Sequence, residues 1–97
     1  MNFIISQKEQ LQEIVNHYGT DHQKDKLFEE MAELQKEVCK EKDGKGDIPH
    51  IAEELADVYI MLQQMQLIYG ITDEQIEQVV QEKIERTLDV IEGEDNE

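Results

Sequence analysis

Apolar residues recur at intervals of three and four through nearly the whole chain, and the pattern breaks at only a few points. Leu11, Ile14, Val15 and Tyr18 form a first stripe, preceded by Ser6 and Glu9 at capping-box spacing and closed by Gly19. Thr20 and Gln23 repeat that spacing before a second stripe of Leu27, Met31, Leu34 and Val38. Asp43-Gly44-Lys45-Gly46-Asp47 is the clearest loop, and Pro49 just beyond it is tolerated in a first helical turn. A third stripe holds Ile51, Leu55, Val58, Leu62, Met65 and Tyr69 and ends at Gly70. Thr72 and Gln75 then cap a fourth, with Ile76, Val79, Val80, Ile84, Leu88 and Ile91. No stretch alternates with period two for long enough to compete as a strand. The pattern predicts an all-α fold of four helices with short connections.

The third helix carries more apolar residues than one face needs. Ala52, Ala56, Tyr59, Ile60, Met61, Leu67 and Ile68 surround its main stripe, and a helix apolar nearly all round is buried on more than one side. In a chain of 97 residues that is easiest to satisfy with a second copy, so the sequence predicts self-association, as a homodimer or homotetramer. The length makes one domain, expected over residues 1–91, followed by an acidic, disordered tail at 92–97.

Two acidic motifs sit inside these stripes: Glu29-Glu30-Met31-Ala32-Glu33 and Glu53-Glu54-Leu55-Ala56-Asp57. Residues three apart share a helix face, so Glu30 pairs with Glu33 and Glu54 with Asp57. Both pairs flank their apolar stripe on the same side, and two packed helices would bring four carboxylates to one place. Such a cluster repels itself unless a cation fills it. A solvated face accounts well for Glu37, Glu41, Glu77 and Glu85. It accounts poorly for Asp57, whose sequence neighbours from Leu55 to Leu62 are almost wholly apolar, and a carboxylate in such surroundings is expected to be paired or metal-bound.

Charge narrows the partners. Twenty-four acidic residues against nine basic ones give a net charge of −15, which argues against nucleic acid and against a basic membrane-surface helix. No apolar run approaches the roughly 20 residues that span a bilayer, and Phe3-Ile4-Ile5 is too short for a signal peptide, so a cytoplasmic protein is expected. The single cysteine, Cys39, allows no intrachain disulfide and is expected to be inert packing.

Carboxylate-only sites suit Mg²⁺, Mn²⁺ or Ca²⁺. A di-iron bundle would need Glu-x-x-His motifs, and His17, His22 and His50 lack that spacing. The 43–47 loop is no EF-hand, because Ile48 stands where its invariant glycine belongs. Zinc is disfavoured by one Cys and no paired His.

The motif Glu29-Glu30-x-x-Glu33, a spacer, then Glu54-x-x-Asp57 resembles the signature of the MazG-like all-α nucleoside triphosphate pyrophosphohydrolases, in their short phage and bacterial form. The resemblance runs from about Asp21 to Leu88 and includes the Gly-Lys-Gly loop and Glu82-Lys83-Ile84-Glu85-Arg86. It implies cleavage of the bond between the α- and β-phosphates of a (d)NTP, giving a monophosphate and pyrophosphate with Mg²⁺, for which Mn²⁺ can substitute. Carried over, it makes Glu30, Glu33, Glu54 and Asp57 metal ligands and Glu29 the group that orients or deprotonates the attacking water. Lys83 and Arg86, one turn apart, would contact the β- and γ-phosphates. The chain differs from many members at Gln81, where they carry Asn, and at Tyr59, where related short sequences are acidic. Phe28, His17, Tyr18 and His22 stand near helix ends where a base could be met, and equally where packing could use them. The alternatives are a phosphoribosyl-ATP pyrophosphohydrolase-like enzyme and a non-catalytic helical module that binds nucleotide or a basic partner.

Overall fold

The computed structural model describes residues 7–95. Four helices follow one another: α1 (Lys8–Tyr18), α2 (Thr20–Lys42), α3 (Ile48–Tyr69) and α4 (Asp73–Asp95), with no strand among the described residues. The fold is all-α, as the periodicity predicts. None of the described helices is long and apolar enough to cross a membrane.

Local chemistry sets most of the boundaries. The cap expected at Ser6 lies outside the described residues. Gly19 ends α1 with φ 91°, a backbone region that L side chains rarely adopt, and its N–H donates to the Val15 carbonyl. The same glycine is the N-cap of α2, so the capping box expected from Thr20 and Gln23 does not form. With one residue between the helices Thr20 is already helical, and the Gln23 amide turns into the interior instead. Asp47 caps α3, its Oδ1 accepting from the His50 N–H at 2.8 Å. Gly46 backs onto the preceding helix, where a Cβ would meet the Glu41 nitrogen at 2.7 Å. Thr72 and Gln75 form the expected capping box: the Thr72 N–H donates to Gln75 Oε1 at 2.8 Å, and the Gln75 N–H to Thr72 Oγ1 at 3.1 Å. α4 runs through Asp95.

α2 and α3 form an antiparallel hairpin that is the main interface of the fold, with α1 packed on both. Leu11 and Val15 of α1 are buried with Val58 and Met61 of α3. The α2–α3 seam is not the one the apolar stripes predict. On α2 the covered residues include Gln23, Leu27, Glu30, Leu34 and Glu37, whereas Met31 and Val38 are exposed. On α3 they include Ile51, Glu54, Val58, Met61, Gln64, Met65 and Ile68, whereas Leu55 and Leu62 are exposed. At about 100° per residue, each helix is turned by roughly 60° toward its acidic flank. The cause is α1: α3 serves two neighbours, and the side that meets both is centred on Met61 and Gln64. Cys39, expected to be packed, follows Val38 onto the outward face and is an exposed free thiol.

Two glutamines complete the seam. Gln23 and Gln64 are both buried, and Gln23 Nε2 donates to Gln64 Oε1 at 2.7 Å. His22 Nδ1 lies 2.7 Å from Gln23 Oε1. α4 stands apart from this arrangement. None of its residues is buried, and among the described residues its polar ties to the rest are at its first turn, where Asp73 lies 3.5 Å from Lys8 Nζ and accepts from Gln66 Nε2 at 3.0 Å. The radius of gyration is accordingly 16.7 Å, against about 12.5 Å for a compact chain of this length.

The glutamine pair yields a test. Gln64→Leu strands the buried Gln23 amide and should cost about 1–3 kcal/mol in urea unfolding, and the double variant Gln23→Leu/Gln64→Leu should recover most of that loss. A double variant less stable than the single would contradict this account of the pair.

Candidate metal centre

The rotated seam decides where the acidic motifs go. Glu30 projects from the middle of α2, and Glu54 and Asp57 from the first half of α3. One oxygen from each of the three lies within 4.8 Å of the others. Glu54 stands in the seam itself, not on its flank. Its Oε2 is buried and accepts no hydrogen bond. Glu30 is largely covered, its side chain 13% exposed, and is held by Lys26 Nζ at 3.2 Å along the same helix.

Asp57 departs from its expected setting: it is exposed. Its apolar sequence neighbours Leu55, Ile60 and Leu62 are themselves turned outward and form no enclosure around it. The carboxylate in need of a partner is Glu54. Glu33 is exposed and outside the group of three, yet close enough for its charge to act on Glu54. Glu29 is exposed and lies 3.6 Å from Lys26 Nζ. Lys83 and Arg86 stand on α4, which has no packed interface with α2 or α3 beyond its first turn.

One member of the cluster is missed by the sequence reading. Glu37, expected on a solvated face, is largely covered, its side chain 13% exposed, and its charge also acts on Glu54. Its signal is the heptad spacing from Glu30, which places both within about 20° on one helix face.

Burial first, then the carboxylates of Asp57, Glu30, Glu33 and Glu37, hold the Glu54 carboxyl above its ordinary value of 4.5. Lys26 is held above its own usual range, first by its hydrogen bond to Glu30 and then by the charge of Glu29. A hard divalent cation fits this donor set. Carboxylate oxygens are its preferred ligands, and the buried Oε2 of Glu54 has no hydrogen-bond donor among the described residues. No His or Cys belongs to the group.

Beside the carboxylates opens a cleft of about 480 Å³, lined by Tyr18, His22, Lys26, Glu30, Asp57 and Ile60 among others. The Tyr18 and His22 rings stack there, with centroids 4.9 Å apart and planes 16° from parallel. His17 meets the Tyr18 ring edge-on at 4.7 Å, whereas Phe28 is exposed and does not line the cleft. No family model, no curated protein and no solved structure matches the chain.

The sign of the Glu54 shift fixes a pH dependence. A carboxyl raised in the folded state binds more protons there than in the unfolded chain. Its contribution to stability is therefore lost as pH rises from 4.5 through the folded value. Glu54→Gln should thus raise the melting temperature of the metal-free protein at neutral pH. Mn²⁺ at about 100 times its Kd should stabilise the wild type by about 2.7 kcal/mol at neutral pH, and by much less near pH 4.5, where Glu54 is mostly protonated. Equal stabilisation at both pH values would contradict the assignment.

Proposed function

We propose that the chain is a Mg²⁺-dependent nucleotide pyrophosphohydrolase that cleaves the α–β phosphate bond of (d)NTPs. The observation that carries this reading is the convergence of Glu30, Glu54 and Asp57, with one Glu54 oxygen buried and unpartnered, at the edge of a cleft of ligand-binding size. Acidic protein and polyanionic substrate repel each other, and a divalent cation between them reverses that sign. When bound, Mg²⁺ would polarise a phosphoryl oxygen and make a neighbouring water more acidic.

The chain's own residues have distinct tasks. Glu30, Glu54 and Asp57 would hold the cation, and the motif resemblance adds Glu33 as a fourth ligand. Glu54 can bind only after losing its proton, so activity follows its ionisation. Glu29 is exposed beside the cleft and takes the proton of the attacking water, the role its position in the motif implies. The water oxygen bonds to phosphorus as the anhydride bond breaks and pyrophosphate leaves. The paired rings of Tyr18 and His22 offer a flat surface on which a base can stack. Lys83 and Arg86 are the proposed phosphate contacts, a role that requires α4 to approach the α2–α3 seam. Which bond is cut comes from the motif resemblance alone.

A panel of canonical and modified nucleotides, assayed for pyrophosphate release with Mg²⁺, tests the proposal. Turnover is expected with at least one (d)NTP. Glu54→Gln and Asp57→Asn should each lower kcat by at least about 100-fold, the scale of losing one electrostatic stabiliser of the transition state. Exclusive turnover of phosphoribosyl-ATP would favour the related enzyme. Metal binding without any hydrolysis would favour a nucleotide-binding module.

A further inference from the structure

The charges that face the cleft are poorly matched to a nucleotide. Asp25, Glu29, Glu30 and Asp57 line it, and against these four carboxylates stands one lysine, Lys26. Among the described residues no arginine and no other lysine belongs to the lining. Lys26 is already engaged: its Nζ lies 3.2 Å from Glu30 Oε1 and 3.6 Å from Glu29 Oε1. Helix geometry dictates the pairing, because residues three and four apart share a face and Lys26 stands one turn before both glutamates.

Those two partners are more than surface acids. Glu30 is one of the three carboxylates that converge on the cation position, and its side chain is largely covered. Glu29 is exposed and is the proposed proton acceptor. Lys26 thus places a positive charge on a carboxylate that the cation needs. Its own side chain is well exposed, and among the described residues it makes no ion pair with α3.

We propose that Lys26 is a displaceable counter-ion: it neutralises Glu29 and Glu30 in the metal-free protein and transfers to a phosphate oxygen when a divalent cation and a nucleotide enter the cleft. The inference rests on the metal-centre and nucleotide readings above and adds a residue that neither assigns. Electrostatics sets the order of events. A cation held by Glu30 repels the ammonium and claims the carboxylate to which it was donating. The ammonium is a compact point charge on a flexible four-carbon stem, so it turns toward a polyanion without any movement of the backbone. Its hydrogen bond to phosphate is charge-assisted on both sides. The transfer also takes the ammonium off Glu29, and a carboxylate relieved of a nearby positive charge is a stronger base.

Such an exchange couples the two ligands. The cation drives Lys26 off Glu30 and the nucleotide draws it away, so each strengthens the binding of the other. The signature is a pair of opposite effects: without Lys26 the cation loses a competitor and the nucleotide loses a contact.

Mn²⁺ binding followed by electron paramagnetic resonance reads the first effect, on wild type, Lys26→Gln and Lys26→Arg at neutral pH without nucleotide. Calorimetry of α,β-methylene deoxynucleoside triphosphates with the Mn²⁺-loaded proteins reads the second. Lys26→Gln should bind Mn²⁺ at least about fivefold more tightly than wild type. It should bind the analogues at least about tenfold more weakly. Lys26→Arg, which keeps the charge, should stay close to wild type in both. A Lys26→Gln variant that weakens both ligands together, as a purely structural role would, or that leaves Mn²⁺ affinity unchanged, would overturn the proposal alone. A wild type that binds no Mn²⁺ would remove the metal-centre reading and the proposal with it, and a Mn²⁺-loaded wild type that binds no analogue would do the same through the nucleotide reading.

Discussion

Closing the α2–α3 hairpin over Glu54, with one carboxylate oxygen buried and unpartnered, is the constraint on which the rest of the molecule turns. A seam built from Met31, Val38, Leu55 and Leu62 was available in the sequence and would have been drier. The fold instead turns both helices toward their acidic flanks, so that Glu30, Glu37 and Glu54 enter the interface and four large apolar residues leave it. Hydrophobic burial alone does not explain that choice. The seam gains the Gln23–Gln64 hydrogen bond and the contact with α1, and it accepts mutually repelling carboxylates in exchange. A divalent cation would remove the repulsion and satisfy the lone oxygen of Glu54 together. Lys26 is the one cation placed on Glu30 among the described residues, and it reaches that carboxylate from within α2 without bridging to α3.

The same rotation links the site to the outer surface. Side chains expelled from the seam add to the uncovered faces of α3, next to a fourth helix that buries nothing. Site and surface are thus two results of one packing decision. The interior is left with four buried hydrophobic residues among those described, and a chain of this size has little stability to spare.

Much of this was legible in the sequence, and the failures share a cause. Three- and four-residue periodicity located all four helices, and Gly19, Asp47, Gly70 and the Thr72–Gln75 box marked their ends. Those signals are local and act within one or two turns. The facing of α2 and α3 is not local, because it depends on where α1 packs. The apolar stripes therefore pointed about 60° away from the true seam, making Asp57 seem enclosed and Glu37 seem solvated. Thr20 and Gln23 had the spacing of a capping box, but tertiary packing claimed the Gln23 amide for Gln64. Of the four carboxylates expected to converge, Glu30, Glu54 and Asp57 come together and Glu33 stays outside the group.

The central claim is that the seam carboxylates are arranged for a cation, and Glu54 reports on it most directly. Following its side-chain carboxyl carbon by NMR through a pH titration, with and without Mg²⁺, isolates that one group. The account predicts a titration above the ordinary value of 4.5 in the metal-free protein, moving to lower pH when Mg²⁺ is added. A Glu54 that titrates at its ordinary value, or whose titration Mg²⁺ leaves in place, would contradict it.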